Sequence, residues 1–147
     1  MIKQSRIGLV SRNDANPYNK YGFLPLITSN MYSVVDNSTY GVFLPNGIEV
    51  AMPRNMDIVD DWFVWRSLSI TEFISKYIDE PITLMVKAKP HKVIIDCANG
   101  NNPALHRCIE KAKELYGDSL TIMAGNVSSP EAFHELALSG CDYIRVG

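Results

Sequence analysis

Apolar runs that end abruptly in polar residues recur along this chain. The runs at 93–95, 120–124 and 143–144 lead into Asp96, Gly125 and Arg145, and stretches of helical pattern lie between them. Apolar strands that alternate with helices predict a parallel α/β sheet, and such sheets place their chemistry at the carboxyl ends of the strands. The residues at these strand ends are therefore the candidate functional site.

The pattern predicts strands at Phe23–Thr28, Ile48–Met52, Trp62–Trp65, Lys92–Ile95, Leu120–Ala124 and Asp142–Val146. Residues 1–22 precede the first strand and have the small polar residues and proline of an extended arm. Each later strand follows a helix or a helical turn, so the chain is built from successive βα units.

Capping residues mark three of the helices. Asp36 opens a helix that reaches about Leu44, with Asn46-Gly47 as its stop. The others are Pro103–Tyr116, between Asn102 and Gly117, and a helix from Pro130 to Ser139 that stops at Gly140. A helical turn is predicted from Asp57. Thr71–Ala88 is predicted as helix, although 82–86 also fits a separate extended piece.

Successive parallel βα units fit either a doubly wound sheet or a (β/α)8 barrel. A doubly wound nucleotide-binding sheet normally has a glycine-rich turn after its first strand, and residues 29–33 contain no glycine. The barrel is therefore preferred. A closed barrel takes ~250 residues and eight strands. The sequence thus predicts an incomplete (β/α)8 TIM barrel, with about six of its eight units in one domain over residues 1–147.

Composition mainly excludes classes of function. The 147 residues carry a net charge of −2 and no cluster of Lys and Arg, which disfavours nucleic-acid binding. The amino-terminal apolar stretch is too short for a secretory signal or a membrane span. The 3 cysteines include no CxxC pair, which favours a reducing cytoplasmic location. The 3 histidines lack the spacing of metal ligands, so no metal site is predicted.

The motifs at these strand ends resemble those of the IMP dehydrogenase and GMP reductase family. The matching segments are Ser11-Arg12 with Asp14, residues 25–31 (Pro-Leu-Ile-Thr-Ser-Asn-Met), Arg54-Asn55, residues 96–100 (Asp-Cys-Ala-Asn-Gly), residues 125–127 (Gly-Asn-Val) and residues 144–147 (Ile-Arg-Val-Gly). They occur in the family's order and span nearly the whole chain.

The resemblance implies hydride transfer at C2 of a purine ring, with NADP or NAD as cofactor and GMP or IMP as substrate. A catalytic cysteine adds to C2 in this family, on a loop expected after Gly147, so no catalytic residue is assigned here. Cofactor-binding positions carried over from the family are Ser11, Arg12, Arg54, Asp96, Cys97, Ala98, Val146 and Gly147. Substrate-binding positions are Ser29, Met31, Asn126 and Arg145.

The reductase branch resembles this chain more closely than the dehydrogenase branch. The dehydrogenases carry an insertion after the second strand, whereas only a few residues follow Asn55 before the next strand, and residues 96–100 are closer to the reductases' Asp-Val-Ala-Asn-Gly. Some positions depart from the reductase pattern. Arg54 stands in place of lysine, Pro53 in place of histidine, and Tyr32 in place of an acidic or small residue.

Several alternatives remain open. Cys97 and Cys108 fit small buried apolar side chains, Asp96 and Asn126 fit caps of βα loops, and Arg145 fits an ion-paired arginine. The chain is expected either to be a reductase or dehydrogenase segment that works with a complementing C-terminal fragment, or to be a non-catalytic nucleotide-binding or interaction fragment. A flavin oxidoreductase barrel is a further alternative. Resemblance to the family also implies a homo-oligomer.

Overall fold

The computed structural model describes residues 26–56, 63–81 and 91–147. Its sheet has five strands: β1 (Val50–Met52), β2 (Val64–Leu68), β3 (His91–Asp96), β4 (Leu120–Val127) and β5 (Tyr143–Val146). Neighbouring strands are parallel, and their order in the sheet is their order in the sequence. A doubly wound sheet reverses its strand order at a switch point, whereas a barrel adds each strand beside the last. The topology is therefore that of a half-barrel.

In the described ranges, four α-helices connect or flank these strands. They are α1 (Tyr40–Phe43), α2 (Ile70–Phe73), α3 (Pro103–Tyr116) and α4 (Pro130–Leu138). A 3₁₀ turn, Leu44–Asn46, follows α1, and a second one, Gly117–Ser119, follows α3. Helix α2 continues directly into a π-helical segment, Ile74–Asp79.

Most predicted strands lie where the apolar runs placed them, with shifts of a few residues at the ends. The largest differences are at the carboxyl ends of β2 and β4, which were predicted to end at 65 and 124 and end instead at Leu68 and Val127. Ser67 is buried on β2, so this polar residue, which was predicted to follow the strand, is part of it. Of the predicted first strand, only a parallel bridge between Ile27 and Glu49 lies in the described ranges, while residues 23–25 lie outside them.

Side-chain caps define both long helices as predicted. Asn102 Oδ1 accepts the N–H of Ala104 at 2.9 Å before α3, and Ser129 Oγ accepts the N–H of Ala132 at 3.2 Å before α4. The N-cap side chain satisfies a backbone donor that has no partner inside the helix. These two caps therefore fix where the helices begin.

The predicted helix from Thr71 begins one residue earlier, behind a capping box. Ser69 Oγ accepts the N–H of Glu72, whose carboxylate accepts the N–H of Ser69 at 2.7 Å and has a lowered pKa because of these bonds. The helix ends at Asp79 in π-helical form, and the Tyr116 hydroxyl donates to the Tyr77 carbonyl at 2.9 Å. The rest of this prediction, 82–88, and the turn predicted from Asp57 lie outside the described residues.

Both faces of the sheet are covered, as expected for parallel strands. One face packs against the helices through a buried apolar cluster that includes Val93, Ile95, Ile109, Ile122 and Leu136. The opposite, inward face carries a separate cluster of Ala51, Trp65, Ile94 and Met123. Residues 93 to 95 alternate between the two faces with the period of a strand. None of the described helices is long and apolar enough to cross a membrane.

An ion pair lies beside the inward cluster, near the amino-terminal ends of the strands. Lys92 Nζ lies 2.5 Å from a Glu49 carboxylate oxygen and 5.2 Å from the centre of the Trp65 ring. The Trp65 indole N–H donates to the same carboxylate. Because all three side chains are largely buried, these contacts stabilise polar groups that have little access to water. This contact fixes the Trp65 ring inside the half-barrel.

The helix predicted to open at Asp36 begins instead at Tyr40, with Thr39 as its N-cap, and Asp36 organises the turn before α1. Its Oδ1 accepts from the Ser38 hydroxyl at 2.6 Å and from the backbone N–H groups of Ser38 and Thr39 at 2.8 Å each. These bonds, the Ser38 hydroxyl first among them, lower the pKa of Asp36 to about 2. A depressed pKa means that the charged carboxylate stabilises the fold above the ordinary value near 3.8 and that this stabilisation is lost as the pH falls through about 2.

We expect Ser38→Ala to raise the pKa of Asp36 toward 3.8, because it removes the largest cause of the shift. The carboxyl carbon chemical shift of Asp36, followed by NMR between about pH 1.5 and 6, measures this value. Thr71→Ala, at an exposed helical position, is the matched control and leaves it unchanged. An Asp36 pKa near 3.8 in the unmodified chain would contradict the hydrogen bonding described here.

Candidate functional site

A cleft of about 460 Å³ lies at the carboxyl ends of the strands. It is lined by Arg54, Asp96, Cys97, Ala98, Asn126, Arg145 and Gly147. The lining comes from the segments that follow or end β1, β3, β4 and β5, which the parallel sheet brings to one edge. Its volume is within the ~300–1,000 Å³ of small-molecule sites. Parallel packing thus produces one shared concave surface from residues far apart in sequence.

Asp96, the last residue of β3, lies at the centre of this cleft. Arg145 Nη1 donates to its Oδ1 at 2.7 Å, and Asn30 Nδ2 donates to its Oδ2 at 3.2 Å. Arg54 Nη2 donates to the Asp96 backbone carbonyl at 2.7 Å and lies 3.6 Å from Oδ2. The side chain therefore joins three other segments of the chain.

These ion pairs contribute little to stability. The side chains of Arg54, Asp96 and Arg145 keep 41%, 31% and 31% of their surface exposed, and partly solvated pairs of this kind are worth ~0–1 kcal/mol. Their main effect is geometric, because each bond fixes a guanidinium group against the cleft. Arg145 is ion-paired, as the alternative for this residue predicted, and it also faces the cleft.

The electrostatics of the cleft favour a ligand with negative charge. Arg54 and Arg145 bring two positive charges and Asp96 one negative charge, so the lining residues carry a net charge of +1. The guanidinium group has more donors than the Asp96 contacts use, and its planar fork suits phosphate and carboxylate oxygens. Asp96 itself can accept additional hydrogen bonds from hydroxyl groups. The site can therefore hold a phosphorylated, hydroxyl-bearing molecule.

The segment after β3 is bonded to the end of β4. Cys97 donates its N–H to the Gly125 carbonyl at 2.9 Å, and Asn126 donates its N–H to the Cys97 carbonyl at 2.8 Å. Gly100 donates to the Asn126 carbonyl at 2.7 Å, and a Cβ at Gly100 would lie only 2.6 Å from a methyl group of Val127. The close approach explains the glycine at this position. It fixes the backbone of the cleft floor.

The thiol groups near the site are not activated nucleophiles. Burial raises the pKa of Cys97, whose Sγ donates to the Gly125 carbonyl. Burial likewise raises the pKa of Cys108 to about 12 and that of Cys141 to about 11. Thiolates are the reactive form of cysteine, so all three remain protonated at neutral pH. For Cys97 and Cys108, this agrees with the interpretation as small apolar side chains.

The structure places the predicted residues in three groups. Arg54, Asp96, Cys97, Ala98, Asn126, Arg145 and Gly147 come together in the cleft. Ser29, Met31 and Val146 are exposed and are not among the lining residues. Ser11 and Arg12 lie outside the described residues. Among the described ranges, no three His, Cys, Asp or Glu side chains are close enough to hold a metal ion.

Asn30 contacts Asp96, although the sequence analysis assigned it no role in the site. It lies between Ser29 and Met31, to which roles were assigned, and yet its own amide reaches Asp96. An amide side chain directly after a strand is a signal for such a contact, although nothing in the sequence names its partner 66 positions away. The loop after the first predicted strand thus contributes to the site through a different residue.

The fold and the site define the class: a partial (β/α) barrel with an anion-favouring cleft at its strand ends. The model of the IMP dehydrogenase / GMP reductase domain matches residues 72–147, just over half of the chain. The chain belongs to the IMP dehydrogenase / GMP reductase family, which confirms the resemblance seen in its motifs.

Individual relatives agree with this assignment. GMP reductase of Bacillus subtilis is 30% identical, over 84% of this chain and 40% of the relative. GMP reductase of Lactobacillus gasseri is 28% identical, over 93% of this chain and 45% of the relative. The crystal structure of an inosine 5′-monophosphate dehydrogenase from Legionella pneumophila superposes with a TM-score of 0.60 at 21% identity, over 84% of this chain and 39% of that one. The chain thus spans less than half the length of these relatives.

Gly125 generates a prediction about the site. Its φ is +141°, and a Cβ built there would lie 2.6 Å from the Arg145 carbonyl oxygen. Gly125→Ala should therefore push β5 away from β4 and loosen the Arg145–Asp96 pair. We expect a loss of about 1–3 kcal/mol in unfolding free energy by urea denaturation.

Gly41→Ala is the matched control, because Gly41 lies in helix α1 and a Cβ at this position would meet nothing within 4 Å. It should leave stability unchanged or raise it by up to about 1 kcal/mol. Equal stability of the Gly125→Ala and Gly41→Ala chains would show that β5 is not held as closely to β4 as described.

Proposed function

We propose that this chain is the cofactor- and nucleotide-binding segment of a GMP reductase-type enzyme. The observation that supports the proposal is the convergence of Arg54, Asp96, Asn126 and Arg145 on one cleft at the strand ends. Barrel enzymes carry their active sites at this face. In a member of the IMP dehydrogenase / GMP reductase family, the ligands expected there are a nicotinamide dinucleotide and a purine nucleotide.

The residues present fit such a cofactor. The net positive charge of the cleft suits a phosphorylated ligand, and Asp96 offers acceptors for ribose hydroxyl groups. When bound, the nicotinamide supplies the hydride-transfer chemistry. The chain's own residues bind and orient: Arg54 and Arg145 contribute charge, and Asn126 lies on the cleft floor with its Nδ2 donating to the Gly147 carbonyl at 3.1 Å.

GMP with NADPH is the substrate and cofactor pair that we favour over IMP with NAD. The relatives at 28–30% identity are GMP reductases. The dehydrogenase structure is less similar in sequence, at 21% identity, and supports the fold alone. The short connection after Asn55 and the residues of 96–100 favour the same choice.

The remaining βα units of the barrel are proposed to dock against β5. This strand is the last in the sheet order, and its Val146 exposes 71% of its surface. An uncovered apolar strand edge pairs readily with another strand. Since the relatives are more than twice as long as the matched region, the fitting partner is the second part of such a barrel, supplied by protein outside these 147 residues.

Binding tests the proposal directly. Titration of the chain with NADPH, followed by nicotinamide fluorescence, and with GMP, followed by calorimetry, should give saturable binding. Arg145→Ala should weaken GMP binding about tenfold or more, because it removes a charged donor at a substrate-binding position and frees Asp96. Arg107→Ala, at an exposed position of α3, is the control of equal charge change. Failure of the unmodified chain to bind either ligand would contradict the proposal.

Complementation tests the proposed partner. The C-terminal part of the Bacillus subtilis GMP reductase, from the end of the matched region onward, should associate with this chain and give GMP-dependent NADPH oxidation that neither part shows alone. Val146→Lys should weaken association more than Leu115→Lys, since Val146 lies on β5 and Leu115 on α3. Turnover by the 147-residue chain alone, or a chain that pairs only with itself, would contradict this assembly.

A further inference from the structure

The turn after β1 holds Arg54 in an unusual backbone conformation. β1 ends at Met52, Pro53 is buried, and Asn55 adopts a φ of +63°. A left-handed conformation is uncommon outside glycine, although asparagine tolerates it better than most residues. The turn decides the direction in which the Arg54 side chain and carbonyl leave the strand.

A second segment is bonded to the same turn. The hydroxyl of Tyr32 donates to the backbone carbonyl of Arg54. Two residues earlier, Asn30 donates to the Asp96 carboxylate, which Arg54 also approaches. The segment 30–32 therefore contacts both the backbone of the Arg54 turn and the carboxylate that the Arg54 side chain faces.

The position of Tyr32 is itself fixed. The Met31 carbonyl accepts the N–H groups of Val34 and Val35 at 2.9 Å each, which closes a turn around Tyr32. Val35 is fully buried in a cluster with Val50 and Met52 of β1. Tyr32 thus projects from a turn that is packed on the strand whose end it contacts. The residue is 59% exposed, and its hydroxyl reaches the Arg54 carbonyl from this packed turn.

We propose that Tyr32 is a positioning residue for Arg54. Its hydrogen bond and the left-handed Asn55 together fix the turn, and the fixed turn aims the Arg54 guanidinium group at Asp96 and at the ligand in the cleft. The part of this inference that concerns a ligand rests on the proposed function. The positioning of Arg54 can be measured without any ligand.

The ligand-free test uses NMR of the ¹⁵N-labelled 147-residue chain. The Arg54 guanidinium N–H signal is assigned by its disappearance in Arg54→Lys. Tyr32→Phe should shift this signal and speed its hydrogen exchange about fivefold, the effect of losing one hydrogen bond. Tyr40→Phe removes a hydroxyl from α1 and is the matched control, without effect on Arg54. An unchanged Arg54 signal in Tyr32→Phe would overturn the inference.

Asn55 provides a second comparison. Asn55→Gly keeps the left-handed turn and should preserve the Arg54 signal, whereas Asn55→Val disfavours that conformation and should reproduce the effect of Tyr32→Phe. Because thermal unfolding midpoints are recorded for every variant, loss of folding is separated from loss of positioning. Equal Arg54 signals in Asn55→Gly and Asn55→Val would overturn the role of the turn.

The ligand test uses NADPH itself. Tyr32→Phe should weaken NADPH binding about fivefold in the presence of Arg54 and have no effect in the Arg54→Ala background. An equal effect of Tyr32→Phe in both backgrounds would overturn the inference. If the unmodified chain binds no NADPH while the Arg54 signal responds to Tyr32→Phe, the proposed function fails and the positioning role stands.

Discussion

The site depends on the hydrogen bonds of Asp96, the last residue of β3. The Asp96 carboxylate accepts hydrogen bonds from Asn30 and Arg145, and the Asp96 backbone carbonyl accepts one from Arg54. Asp96 ends β3, Arg145 lies on β5, and Arg54 lies in the turn that follows β1. The backbone ladders through β2 and β4 hold these strands in place, and the side chains add direct contacts across the intervening strands. Asp96 makes these contacts at the edge where a ligand would bind.

The two faces of the sheet differ in how they are packed. The outer face is closed by its own helices, with Ile109 and Leu136 fully buried against the strands. The inner face is held near its base by the Glu49 contact with Trp65 and Lys92, and Trp65 meets Tyr143 of β5 edge to face at 5.5 Å. Among the described residues, β5 is an edge of the sheet, and its Val146 is 71% exposed. The outer layer is therefore closed by the chain's own helices, whereas the sheet keeps an exposed apolar residue at its β5 edge.

Cys97, the cysteine among the lining residues of the cleft, has a raised pKa because it is buried, whereas the two arginines and the Asp96 carboxylate are partly solvated and held by hydrogen bonds. Arg54 and Tyr32 both depart from the reductase pattern to which the sequence was compared, and they contact each other. In this chain, the turn that carries the Arg54 guanidinium group is thus hydrogen-bonded to Tyr32.

Local sequence determined the helix boundaries, because Asn102, Ser129 and the capping box at Ser69 act on backbone groups within a few residues. It also determined which end of each strand would carry polar side chains. It did not determine that Asn30, rather than Ser29 or Met31, reaches Asp96, or that Tyr32 supports Arg54. Those pairs are 66 and 22 residues apart, and only the parallel stacking of the strands brings them into contact. The burial of Ser67 within β2 was decided in the same way, since neighbouring strands outweigh the preference of a single polar residue.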